Sequence, residues 1–123
     1  MAYQRLKDVY DSLQANAALS SMADITVGWN HEDISYPSVN IIQAGGSAVG
    51  RFGYKSDNEV NEIATFQIDI YSRTSLMQTY QILDLLRPIM ISSGYEKTAD
   101  SDAFEDEVDA HRKITRWSLE TIV

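Results

Sequence analysis

The chain of 123 residues contains no cysteine. Disulfides, thiolate metal sites and a cysteine nucleophile are therefore excluded. It has two histidines and no Gly-x-Ser-x-Gly, which leaves a serine triad without support. No apolar run approaches the roughly 20 residues of a membrane span. Basic residues are scarce: 10 Lys and Arg stand against 18 Asp and Glu, for a net charge of −8. Wrapping nucleic acid through its phosphates needs clustered cations. Only Arg112, Lys113 and Arg116 come close together. They alternate along a segment with strand character, so they do not all point one way. The opening "MAYQRLKDVYDSLQ" is helical and charged, unlike a signal peptide. The expectation is one soluble domain over residues 1–123, assembled in the cytoplasm.

Glycine is concentrated in one place. "NIIQAGGSAVGRFG" carries Gly45, Gly46, Gly50 and Gly53 directly after the apolar residues Val39, Ile41 and Ile42. The spacing fits no G-x-G-x-x-G, and the stretch continues Arg51-Phe52-Gly53-Tyr54-Lys55-Ser56 rather than into Gly-Lys-Ser/Thr. No amphipathic helix follows, so no helix N-terminus is available to hold a phosphate. The segment reads instead as a long connection from about Gly45 to Asn61. Connections of this length are functional or mobile.

Along the chain, Leu6, Val9, Tyr10, Leu13 and Ala17 give the first helix an apolar face. "DITVGW" is a short strand. Pro37 opens the next strand, "SVNIIQA", where its missing N–H is tolerated. In "ATFQIDIYSR", Phe66, Ile68 and Ile70 share one face and Gln67, Asp69 and Tyr71 the other, a half-buried strand. Ser75 and Gln78 form a capping box at the start of a second helix. Pro88 is expected to kink or end that helix near Arg87, and Gly94 to stop it. "YEKTA" begins a strand, "DSDAFEDEVDA" is an acidic loop and "HRKITRWSLETIV" is the closing strand. The fold class is α+β: a mostly antiparallel sheet of four to five strands packed by two helices, with a long loop or hairpin between strands.

Motifs for chemistry fail on spacing. Counted from Asp100 as an EF-hand, position six is Glu105 instead of Gly and position twelve is His111 instead of Glu. His31, Glu32, Asp33 and distant His111 have no metal-ligand spacing. Asp69, Glu62 and Asp109 imitate a magnesium nuclease set only loosely. No catalytic residue, metal or cofactor is expected. Exposed tyrosines are better grounded, because tyrosine is enriched at protein interfaces. Tyr3, Tyr36 and Tyr54 lie near element ends or loops, and Tyr71 lies on the polar strand face.

The order of segments resembles a known family. "SLQANAALSSMADITVGWNHEDISYPSVNII", "ATFQIDIYSRTSLMQTYQILDLLRPIM" and "GYEKTADSDAFEDEVDAHRKITRWSLETI" are similar to successive parts of the tail-completion, or tail-terminator, proteins of long-tailed bacteriophages. Tyr36-Pro37 and Tyr71-Ser72 are the sharpest pieces, although many relatives carry Trp where Tyr71 stands. The resemblance implies a virion protein of the neck, in a ring that is commonly hexameric and seated at the head-proximal end of the tail tube. Such a ring ends tube growth, contacts the tail tube protein and joins the head connector or stopper. DNA passes through its lumen without specific binding. Phe52, Tyr54 and Tyr71 are the candidate contacts between subunits. Two alternatives stay open: another neck or tail-tube ring component, and a small ligand-binding or enzymatic α+β domain.

Overall fold

The structure, a computed structural model, describes residues 2–28, 35–48 and 61–122, with side chains over 5–28, 35–44 and 63–120. The elements run α1 (Ala2–Ala15), α2 (Ala17–Met22), β1 (Asp24–Val27), β2 (Ser38–Ala48), β3 (Asn61–Ser72), α3 (Leu76–Ser92), β4 (Glu96–Glu105) and β5 (Ala110–Ile122). The five strands form one sheet in the order β1-β2-β3-β5-β4. β1 and β2 are parallel and the other three pairings antiparallel. The expected α+β class is present, with three helices instead of two. The N-terminal helix is broken at Asn16, whose side chain accepts the Leu19 N–H and caps a separate short helix. Asparagine favours this position because its side chain satisfies a donor the helix leaves open.

The core lies on one face of the sheet. Alternate strand residues Val39, Ile41, Phe66, Ile68, Ile70 and Trp117 meet Val9, Leu13, Leu19, Ile82, Leu86 and Met90 of the helices. Trp117 is fully buried, and its indole N–H donates to Thr115 Oγ1, whose hydroxyl donates to the Ile68 carbonyl. A large apolar body with a satisfied polar end is what a buried tryptophan requires.

Three local expectations change. First, α3 continues through Pro88 to Ser92. Pro88 is exposed, so water can reach the helix surface where the proline removes a backbone donor. Second, Gly45 to Ala48 belong to β2 and pair with Thr65 to Glu62 of β3, with a bulge between Gln43 and Gly45. The glycine-rich connection is thus partly a hairpin arm. Third, Asp100, Asp102 and Glu105 lie within β4, not in a loop. The turn is confined to 106–109, where Asp109 has φ 51°.

The ends of α3 are closed as the sequence indicates. Ser75 Oγ accepts the Gln78 N–H at 3.2 Å. The Gln78 side chain turns to Ser72 Oγ–H instead of reaching back. At the other end Gly94 has φ +93°. Its N–H donates to the Ile91 carbonyl and the Tyr95 N–H to the Met90 carbonyl. This is a Schellman cap, which favours glycine at its left-handed residue.

Candidate functional site

Strand alternation and the cross-strand register place a second set of side chains on the sheet face away from the core. Ser38, Tyr71 and Arg112 form one cross-strand row, and Asn40, Asp69 and Ile114 the next. Ile42, Gln67 and Arg116 form a third. From the alternation alone this face is expected to meet solvent. It is instead buried on its β2–β3 half: Ser38, Asn40, Asp69, Tyr71, Ile42 and Gln67 are all 9 % exposed or less. The β5 side is more open, with Arg112 and Ile114 half-buried and Arg116 exposed.

Polar groups on this face form a lattice. Arg112 donates from Nη2 to Asp69 Oδ2 at 2.7 Å and from Nη1 to Glu105 Oε1. Gln67 Nε2 donates to both oxygens of Asp69 at 3.1 and 3.3 Å. Arg116 Nη2 donates to Gln67 Oε1 at 3.2 Å, and Thr26 Oγ1 to Asn40 Oδ1 at 3.0 Å. Burial is the dominant influence on Asp69 and holds its pKa above the ordinary carboxylate value, against the lowering by Arg112 and Gln67. Tyr71 is pushed up to about 12, again mainly by burial. Burial opposes the charge on Arg112 too, but its bonds to Glu105 and Asp69 prevail and raise it. A buried carboxylate is tolerated only with this kind of compensation.

Aromatic rings close one end of the lattice. Tyr36 meets Tyr71 edge-on at 6.3 Å. The Arg73 guanidinium lies 4.1 Å over the Tyr36 ring, and Arg112 lies 5.7 Å from the centre of the Tyr71 ring. Arg73 Nε also donates to the Val108 carbonyl in the β4–β5 turn at 2.9 Å. The Tyr36-Pro37 and Tyr71-Ser72 dipeptides thus converge on one cluster.

The candidate contact residues fare unequally. Phe52 and Tyr54 lie outside the described residues, as do His31, Glu32 and Asp33. Tyr71 is 3 % exposed, so the expectation of an exposed tyrosine is corrected: Tyr36 and Arg112 pack on it, and it lies in the closed half of the face. Asp69, Glu105, Arg112 and Arg116 are each singled out in the sequence, but not as members of one lattice; the structure brings them together. The signal in the sequence is the polar alternation Gln67, Asp69, Tyr71 together with Arg112 and Arg116, a pattern that solvent-facing strands share.

Across the sheet, Lys113 is 5 % exposed and ion-paired to Asp100 and Asp102, with its ammonium 4.3 Å over the Tyr80 ring. Lys113 therefore faces α3 while Arg112 and Arg116 face the other way, as the alternation predicts. Among the described residues, no group of three or more His, Asp or Glu is placed to hold a metal ion. A cavity of about 250 Å³ lies between α1, the connection after α3 and β5, lined in part by Arg5, Asp8, Tyr95 and Leu119.

This arrangement of sheet and helices has a counterpart among solved structures. The chain is similar in fold to a chain of the virion of the native gene transfer agent particle. The TM-score is 0.73, over 94 % of this chain and 92 % of that one, at 8 % sequence identity. At that identity the likeness establishes the fold alone. No protein-family model matches the sequence, and no curated protein does.

Proposed function

We propose that the protein is a structural component of a phage-like virion, and within that class a tail terminator. It would form a ring, a hexamer in the resembled family, at the head-proximal end of the tail tube. There it would end tube growth and join the tail to the head connector. The observation that carries this is the fold shared, over nearly the whole length of both chains, with a chain of the gene transfer agent virion. The loose sequence resemblance to tail-completion proteins supports the same assignment. So does the acidic balance of −8, which suits a conduit that must not grip DNA. We assign it no catalysis and no cofactor.

The fold likeness fits another neck or tail-tube ring component as well, and deletion of the gene separates the two. A terminator deletion leaves filled heads and unattached tails, some of them overlong. Loss of a tube protein leaves no tubes at all. Electron micrographs showing normal, infectious particles would overturn the virion role altogether.

A further inference from the structure

Strand β4 is held to the sheet by charge more than by apolar contact. No residue of β4 is buried, and seven of its ten are exposed. None belongs to the core. Its large apolar side chain, Phe104, meets the His111 ring edge-on and remains 49 % exposed. Burial of an apolar face is what ordinarily anchors a strand, and β4 has no such face. It is also a sheet edge, so its backbone pairs on one side only, and a bulge between Lys97 and Ala99 interrupts that ladder.

Neighbouring cations of β5, Arg112 and Lys113, supply the anchorage. Lys113 faces the helices. It pairs with Asp100 and Asp102 of β4, and its ammonium lies 4.3 Å over the Tyr80 ring of α3. The Tyr80 hydroxyl closes this group by donating to Asp102 Oδ2 at 2.7 Å. Arg112 faces the other way and joins Glu105 of β4 to Asp69 of β3. Each cation thus ties the edge strand to an element beyond its own hairpin, on opposite sides of the sheet. When β4 leaves, Asp100, Asp102 and Lys113 return to water, and that hydration offsets part of the attraction lost. Arg112 keeps Asp69, so the buried carboxylate is not stranded.

We propose that β4 is a latched edge strand: the Lys113 and Arg112 ion pairs hold it closed, and it detaches as a unit while β1, β2, β3 and β5 stay folded. The remaining strands keep the core, since Phe66, Ile68, Ile70 and Trp117 lie on β3 and β5. Segments with few buried apolar contacts open at lower free energy than the whole fold. Detachment uncovers the outer edge of β5, a row of backbone donors and acceptors open to another extended segment. The latch is a property of the single chain and is independent of the ring.

Residue-resolved hydrogen exchange of the purified protein at pH 7 reads the opening directly. We expect the amides that join β4 to β5 to exchange together, at least about tenfold ahead of those that join β2 to β3. In Asp100→Asn with Asp102→Asn, exchange of the β4–β5 amides should quicken about tenfold, while the β2–β3 amides stay protected over the same interval. Both positions are exposed, and Trp117 fluorescence checks that the variant is folded. Asp84→Asn removes an exposed carboxylate of α3 and should leave the β4–β5 rates unchanged. In the unaltered chain, β4–β5 amides that exchange only together with the β2–β3 amides would overturn the separate opening. Rates in the double variant equal to those of the unaltered chain would overturn the role of charge, and so would an equal acceleration by Asp84→Asn.

Discussion

At the residue scale, buried Asp69 and exposed Asp100 are two carboxylates whose protons matter in opposite ways. Burial holds Asp69 above its usual pKa of 3.8. The folded state then binds the proton more tightly than the unfolded chain. The stabilising contribution is complete below 3.8 and is lost as the pH rises through the folded value. For Asp100, burial raises the pKa, but Lys113 and Lys97 outweigh it and the net shift is downward from 3.8. Its contribution is present above 3.8 and is lost as the pH falls. Urea unfolding at pH 3 and pH 7 should therefore separate the two. The advantage of the unaltered chain over Asp69→Asn should be larger at pH 3, and its advantage over Asp100→Asn larger at pH 7. Trends in the same direction would refute the assignment. Trp117, fully buried in the core, supplies a simpler test. Trp117→Ala should cost about 3–5 kcal/mol, measured by the same unfolding, and a loss under about 1 kcal/mol would contradict its central place.

At the scale of elements, α3 makes two predictions of opposite sign. Pro88→Ala restores a backbone donor to the helix interior, where proline is about 3 kcal/mol less favourable than alanine. The proline also stiffens the unfolded chain, so a net gain of about 1–2 kcal/mol is expected in thermal unfolding. Gly94→Ala should destabilise by about 1 kcal/mol or more. Its left-handed φ of +93° strains any side chain, and a Cβ there would stand 3.1 Å from Leu119 Cδ1. Both caps of this helix were legible from Ser75 and Gly94. So was the inward face of β3, because Phe66, Ile68 and Ile70 alternate strictly. The break at Asn16 was not, since the apolar spacing from Leu6 to Ala17 runs across it without interruption. The acidic run of β4 is not legible as a strand for a related reason. Its carboxylates suggest a solvated loop until Lys113 and Arg112 are seen opposite them on β5. The buried polar face was hidden by the same limit: alternation tells which residues share a face, not what covers it.

At the scale of the whole molecule, negative charge and strand alternation together set what the surface can bind. Lys113 is held on the helix side by two carboxylates, and Arg112 on the other side by Asp69 and Glu105. Few cations remain for phosphate contacts. Purified protein should show no measurable binding to duplex DNA by fluorescence anisotropy at physiological salt. Tight binding that weakens steeply with added salt would contradict the conduit role.

The most direct test of that role is a cryo-electron microscopy reconstruction of the particle's neck. We predict a closed ring of copies of this five-stranded sheet at the head-proximal end of the tail tube. A neck resolved at that level with no density for this fold, or with the chain found elsewhere in the particle, would contradict the account.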